Sequence, residues 1–178
     1  MDDLDKYCQR FLAAGATDAK SIQSSSIITA EWVRLKCQFG CPNYGTRYCC
    51  PPDTPTPEQT RAVINNYERG ILIHYKSDYS PDRRKHQDIF LDKLRDLEIE
   101  MFHDGYYKAF ILLSGYCTLC KECGKVKGNP CKFGYRARPS MEACGIDVFQ
   151  TARNNAFPID PLRTREETRN LYCLMLVD

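Results

Sequence analysis

Four cysteines fall within the fifteen residues Cys117 to Cys131, CTLCKECGKVKGNPC, and four more within CQFGCPNYGTRYCCPP, which begins at Cys37. Whatever fold the chain adopts must put these thiols to use, and that narrows the choice more than bulk composition does. The 178 residues hold eleven cysteines. A reducing compartment keeps thiols unpaired. A secreted disulfide scaffold is normally shorter, is exported and has an even cysteine count. The start, MDDLDKYCQR, has neither the basic region nor the apolar stretch of a secretory signal. Metal ligation in a cytoplasmic protein is the leading explanation.

Other classes fall away quickly. The longest apolar runs, AFILL and LYCLMLV, are far short of the ~20 residues that cross a bilayer and are the length of buried strands, so no membrane span is expected. The 25 basic residues are balanced by 23 acidic ones, a net charge of +2 that gives no reason to expect nucleic acid. The length suits one domain over residues 1–178 with a core of its own.

Along the chain, Leu4, Tyr7, Cys8, Phe11 and Leu12 mark one face of a helix over residues 2–13, stopped by Gly15. SSSIITAEWVRLKC mixes β-branched and aromatic residues and predicts an extended segment or hairpin leading to Cys37. Thr56, Pro57 and Gln59 form the start of a capped helix running to about Glu68, with Gly70 beyond it. ILIHY reads as a buried strand. Ser80 and Pro81 open the strongest helix, with Phe90, Leu94, Leu97 and Met101 on one face and Gly105 past its end. YYKAFILLSG is the next strand; Asp147 and Gln150 begin a helix to about Asn155; LYCLMLVD is a closing strand. This alternation predicts an α/β fold, a single compact domain whose mixed or parallel sheet is covered by helices, with two cysteine-rich metal-binding loops leaving the strand ends.

Cys8 and Cys173 lie on apolar stripes and read as core. Cys117, Cys120 and Cys123 are spaced so that one loop can curl around a compact inorganic cube, with Cys131 arriving after seven intervening residues. Structural zinc prefers two separated two-cysteine knuckles, which leaves the middle cysteine over; a four-iron four-sulfur cluster is therefore favoured over zinc. Lys121, Lys125, Lys127, Lys132, Arg136 and Arg138 surround this segment and suit either a negatively charged cluster or an acidic redox partner. In the first group, neighbouring Cys49 and Cys50 should point opposite ways, so only one is expected to be a ligand. Cys50, fixed by Pro51, is preferred. That gives Cys37, Cys41 and Cys50, with the fourth position open to Cys49, Cys144, a non-cysteine side chain or nothing. Arg34, Arg47 and Tyr48 border this group and either meet an anionic ligand or face solvent. His74 and His103 read as ordinary packed or exposed histidines.

CPNYGTRYCCPP together with LLSGYCTLCKECGKVKGNPCKFGYRARPSMEACGIDV resembles a prokaryotic family of metal-binding proteins, domain of unknown function family 2284, over about Cys37 to Asp147. By position the resemblance implies Cys37, Cys41, Cys50, Cys117, Cys120, Cys123 and Cys131 as metal ligands; Cys49 and Cys144 depart from the family's pattern and are the weaker candidates. It also implies iron-sulfur or other metal binding in anaerobic or microaerobic prokaryotes, and no settled activity.

The function expected is an iron-sulfur protein with two four-iron four-sulfur clusters, acting in electron transfer or reductive activation of a redox partner protein. One alternative is an enzyme whose incompletely ligated N-terminal cluster binds a small-molecule ligand as substrate. Another is a zinc-stabilised interaction module.

Overall fold

The apolar runs ILIHY and LYCLMLV become the two central strands of a sheet. In the structure, a computed structural model describing residues 3–178, four strands pair among the described residues: β1 (Asp18–Gln23), β2 (Arg69–Ser77), β3 (Phe110–Leu112) and β4 (Arg169–Leu176). Residue 2, where the first helix is expected to begin, lies outside the described residues; the helix itself, α1, spans Asp5–Ala14. The sheet order is β1-β2-β4-β3.

Every ladder in this sheet is antiparallel, with Ile73 opposite Cys173 and Leu112 opposite Leu174. The α/β class holds, but the sheet is not mixed or parallel, and the reason is topological. β2 and β3, joined through the helix α4 (Arg83–His103), both run antiparallel to β4 and so run parallel to each other, as strand-helix-strand alternation dictates. They are not neighbours. The C-terminal strand enters between them, and an alternating pattern says nothing about which gap a last strand fills.

Side chains alternate across the sheet as the two-residue period requires. Ile71, Ile73, Ile111, Cys173 and Met175 face one core, closed by Tyr7 and Phe11 of α1 and by Phe90, Leu94, Leu97 and Met101 of α4. Leu72, Leu112, Tyr172, Leu174 and Leu176 face a second core with Ile27, Ile64, Met141, Ile146 and Ala152. Because β2 and β4 are covered on both faces, they read as continuous apolar runs. Cys8 and Cys173 belong to the first core, and burial pushes the Cys173 thiol up to about 12. His74 is buried, stacked on Tyr172 with ring centroids 4.9 Å apart and bonded to Asn170, a packed histidine. His103 ends α4 at the surface.

The region predicted as an extended segment or hairpin is instead a helix, α2 (Glu31–Gly40). Only Val33 of α2 is buried, while Trp32, Leu35 and Phe39 stay exposed. Tertiary anchoring outweighs their strand preference: Ala30 donates to Gly145 O at 2.9 Å, and Arg34 donates to Thr54 O at 2.7 Å. α3 (Pro57–Ile64) opens on the reciprocal cap of Thr56 and Gln59 and ends at Asn65, short of Glu68. α5 (Val148–Asn154) starts at Asp147, whose side chain accepts from Gln150 N at 2.9 Å. No helix among the described residues is long and apolar enough to cross a membrane.

One ion pair fastens the second cysteine segment to this scaffold. Arg138 Nε lies 2.9 Å from both carboxylate oxygens of Glu98, and Glu98 also accepts Ile111 N of β3 at 3.0 Å. Glu98 is 5% exposed. Removing Arg138 strands a buried carboxylate, so Arg138→Ala should cost about 3–5 kcal/mol in urea unfolding. Lys121→Ala, on the exposed part of the same segment, should stay within about 0.5 kcal/mol. Equal effects of the two substitutions would remove Glu98 as the anchor.

Candidate metal centre

Cys37 lies in the last turns of α2 and Cys41 caps it, with Cys41 N donating to Cys37 O at 3.2 Å. Four residues apart on a helix, the two side chains share a face. Cys50 joins them from the turn that follows, where Cys50 N donates to Arg47 O at 3.0 Å and Asp53 N to Cys50 O at 3.1 Å. Cys37, Cys41 and Cys50 line one pocket, together with Tyr116, Ser140 and Glu142. Burial pushes the Cys50 thiol up to about 11 and raises that of Cys37 as well. Cys41 is exposed.

The other four thiols meet in a second, tight pocket lined by Cys117, Cys120, Cys123 and Cys131. The seven-residue excursion before Cys131 closes because the chain doubles back at Gly124. Asn129 N donates to Gly124 O at 2.9 Å, and a Cβ on Gly124 would fall 2.7 Å from Pro130 O. Only glycine permits two backbones to pass this closely.

Cys49 lines that second pocket too. Neighbouring Cys49 and Cys50 do point opposite ways, as expected, but the structure does not leave one of them idle. Cys49 turns toward Cys117 and Cys50 toward Cys37 and Cys41. The adjacency of two thiols between two cysteine groups was the available signal, and reading it for one metal site alone obscured it. The structure does not bring Cys144 to either pocket's lining; it sits in the second core, 3% exposed, with its thiol pushed up to about 12 by burial.

The two cysteine segments are cross-linked. Arg47 donates to Cys117 O at 3.0 Å and to Asn43 at 3.0 Å; its guanidinium lies 4.9 Å from the Tyr116 ring centroid. Tyr48 OH donates to Asn129 O at 2.8 Å, and Lys125 pairs with Asp53. Arg34 instead holds the backbone at Thr54 and Pro55. Most of the local positive charge is engaged by the chain's own carboxylates: Lys125 with Asp53, Lys127 with Glu122, Arg136 with Asp92 and Asp96, and Arg138 with Glu98.

A hydrogen bond from Cys49 holds the Cys117 thiol well below its ordinary value, aided by the Leu119 backbone N–H and by the charges of Arg95 and Arg47, against the opposing effect of burial. The same contact raises Cys49. Soft sulfur donors around an enclosed space fit a thiolate-bound metal group. Among the described residues, no three His, Cys, Asp or Glu side chains are arranged to hold a single metal ion.

Beside Cys37 and Cys41 a third space opens, a solvent-open and mainly apolar groove. Trp32 and Lys36 of α2 form one wall, Arg169 and Tyr172 of β4 another, and Glu142 lines it as it lines the pocket of Cys37, Cys41 and Cys50. Sequence reasoning did not single out Glu142, because nothing in SMEACGID distinguishes it from a surface acid.

A family model described as a predicted metal-binding protein matches residues 20–177. No curated protein and no solved structure matches the chain.

The Cys49–Cys117 contact gives a sign that can be checked. In reduced, metal-free protein, Cys49→Ala removes the bond that favours the Cys117 thiolate, so the alkylation profile of Cys117, followed by peptide mass, should shift to higher pH. Leaving that profile in place would mean that Cys49 does not meet Cys117 in solution.

Proposed function

The chain belongs to the predicted metal-binding family, domain of unknown function family 2284, and from that premise we propose that it is an iron-sulfur protein holding two four-iron four-sulfur clusters. Cys117, Cys120, Cys123 and Cys131 hold one; Cys37, Cys41 and Cys50 contribute to the other. When bound, such clusters supply one-electron exchange. The proposed role is electron transfer to, or reductive activation of, a partner protein in the cytoplasm, where thiols stay reduced.

The observation that carries this reading is the sorting of the thiols into two separate linings, with the closely spaced triplet and Cys131 returned to one pocket. A lone zinc needs its sulfurs about 2.3 Å from one centre. A cluster places each cysteine on a different iron, which agrees with the finding that among the described residues no three such side chains are arranged to hold one ion. The chain's own residues then act around that group. Arg47 and Arg95 place positive charge near Cys117, which favours thiolate over thiol. The links from Arg47, Tyr48 and Lys125 keep the two sites at a fixed separation. Lys121 and Lys132, exposed beside the second site, are suited to meet an acidic partner surface.

The groove beside Cys37 and Cys41 favours a second reading, an enzyme that binds a small molecule next to the N-terminal centre. Its apolar walls would hold the body of such a molecule, and Lys36 and Arg169 would orient an anionic end.

Anaerobic purification followed by iron, sulfide and zinc analysis tests the reading. About eight irons per chain, with broad absorption near ~400 nm, are expected. Cys120→Ser should lose about half of the iron, whereas Cys8→Ser and Cys173→Ser should lose none. A colourless protein carrying zinc and no iron would sink the proposal in favour of a zinc-stabilised module.

A further inference from the structure

Glu142 carries a buried carboxylate oxygen, Oε2, that has no hydrogen-bond partner. The residue opens a 3₁₀ turn, Glu142–Cys144, that is rigidly held. Met141 N donates to Leu113 O at 2.9 Å, Ala143 N to Ser140 Oγ at 3.1 Å, and Gly145 N to Glu142 O at 2.9 Å. Gly145 closes the turn at φ 75°, where an added Cβ would lie 2.4 Å from Pro57 Cγ. The backbone that carries the carboxylate is therefore fixed, while the residue as a whole is half-buried.

A buried carboxylate oxygen without a partner is costly unless it is neutralised or meets a cation. What Glu142 shares its pocket with is sulfur: it lines the same space as Cys37, Cys41 and Cys50. Three thiols and one carboxylate around a common space repel one another once ionised, and a positively charged metal group is what relieves that repulsion.

The other candidates for a fourth position are placed elsewhere: Cys49 lines the pocket of Cys117, and Cys144 is sealed in the second core. We infer that Glu142 is the non-thiolate ligand of the N-terminal centre, completing the set of Cys37, Cys41 and Cys50 through its carboxylate. The inference rests on the iron-sulfur reading of that pocket and adds to it a hard oxygen donor on one iron, a weaker match to iron in a sulfur cluster than a fourth thiolate and more readily exchanged. Glu142 lines the groove beside α2, as Cys37 and Cys41 do, so the most readily exchanged donor of the set is within reach of a small molecule in the groove.

The test uses the full chain, purified or reconstituted without oxygen, as wild type, Glu142→Ala, Glu142→Gln and Glu142→Cys. Iron and sulfide content and Mössbauer spectra are the readouts. Wild type is expected to show one iron subsite with a distinct signal of oxygen ligation. That signal should vanish in Glu142→Ala and Glu142→Gln, with loss of about one to four of about eight irons, all from the N-terminal centre. Glu142→Cys should retain the full iron content and give a spectrum in which every iron is sulfur-ligated. Thermal unfolding of the metal-free variants controls for folding. Wild-type spectra and iron content in all three variants would overturn the role of Glu142 while leaving the two clusters standing. Wild-type protein without iron at the N-terminal cysteines would overturn the cluster reading and this inference with it.

Discussion

The entry of β4 between β2 and β3 is the constraint on which the rest of the molecule depends. Its residues Arg169 to Leu176 pair with β2 along their whole length and with β3 at Leu174 to Leu176, and they supply side chains to both cores. A strand with both faces buried and both edges paired has no tolerance for polar substitution or register slip, because a shift of one residue would exchange the contents of the two cores. Everything between β3 and β4, including the second cysteine group and the Glu142 turn, is consequently a closed excursion whose ends are pinned to adjacent positions in one sheet.

That excursion is fixed by local charge. The six cations between Cys117 and Pro139 look, as a sequence, like a basic surface, yet four of them reach carboxylates of the same chain. Arg136 and Arg138 fasten the segment to α4, and Lys125 fastens it to the first cysteine loop. Exposed pairs of this kind contribute little individually. The Glu98 pair differs because its carboxylate is buried and shared with a strand amide, so losing one partner leaves an uncompensated charge.

Much of this was legible from residues alone. The face of Phe90, Leu94, Leu97 and Met101, the Thr56 and Asp147 caps, the core placement of Cys8 and Cys173, and the division of the cysteines into two segments each rest on a short-range pattern that later folding does not alter. What was not legible depended on contacts distant in sequence. α2 has strand-like side chains and becomes helical because its N-terminus docks on Gly145; the spacing of Cys37 and Cys41, one helical turn apart, was the local hint. Sheet polarity turned on the placement of a strand more than fifty residues beyond β3. Cys49 and Glu142 were obscure for the same reason, since each acquires its surroundings from a segment that sequence reasoning cannot place beside it.

Cys49 and Cys50 occupy consecutive positions while serving different linings, so the chain has no slack with which to adjust one side independently. Inserting or deleting a single residue there would not spoil one lining and spare the other; it would rotate a thiol out of each. A change of chain length at this point is shared by both linings, whereas a substitution at one thiol stays with its own.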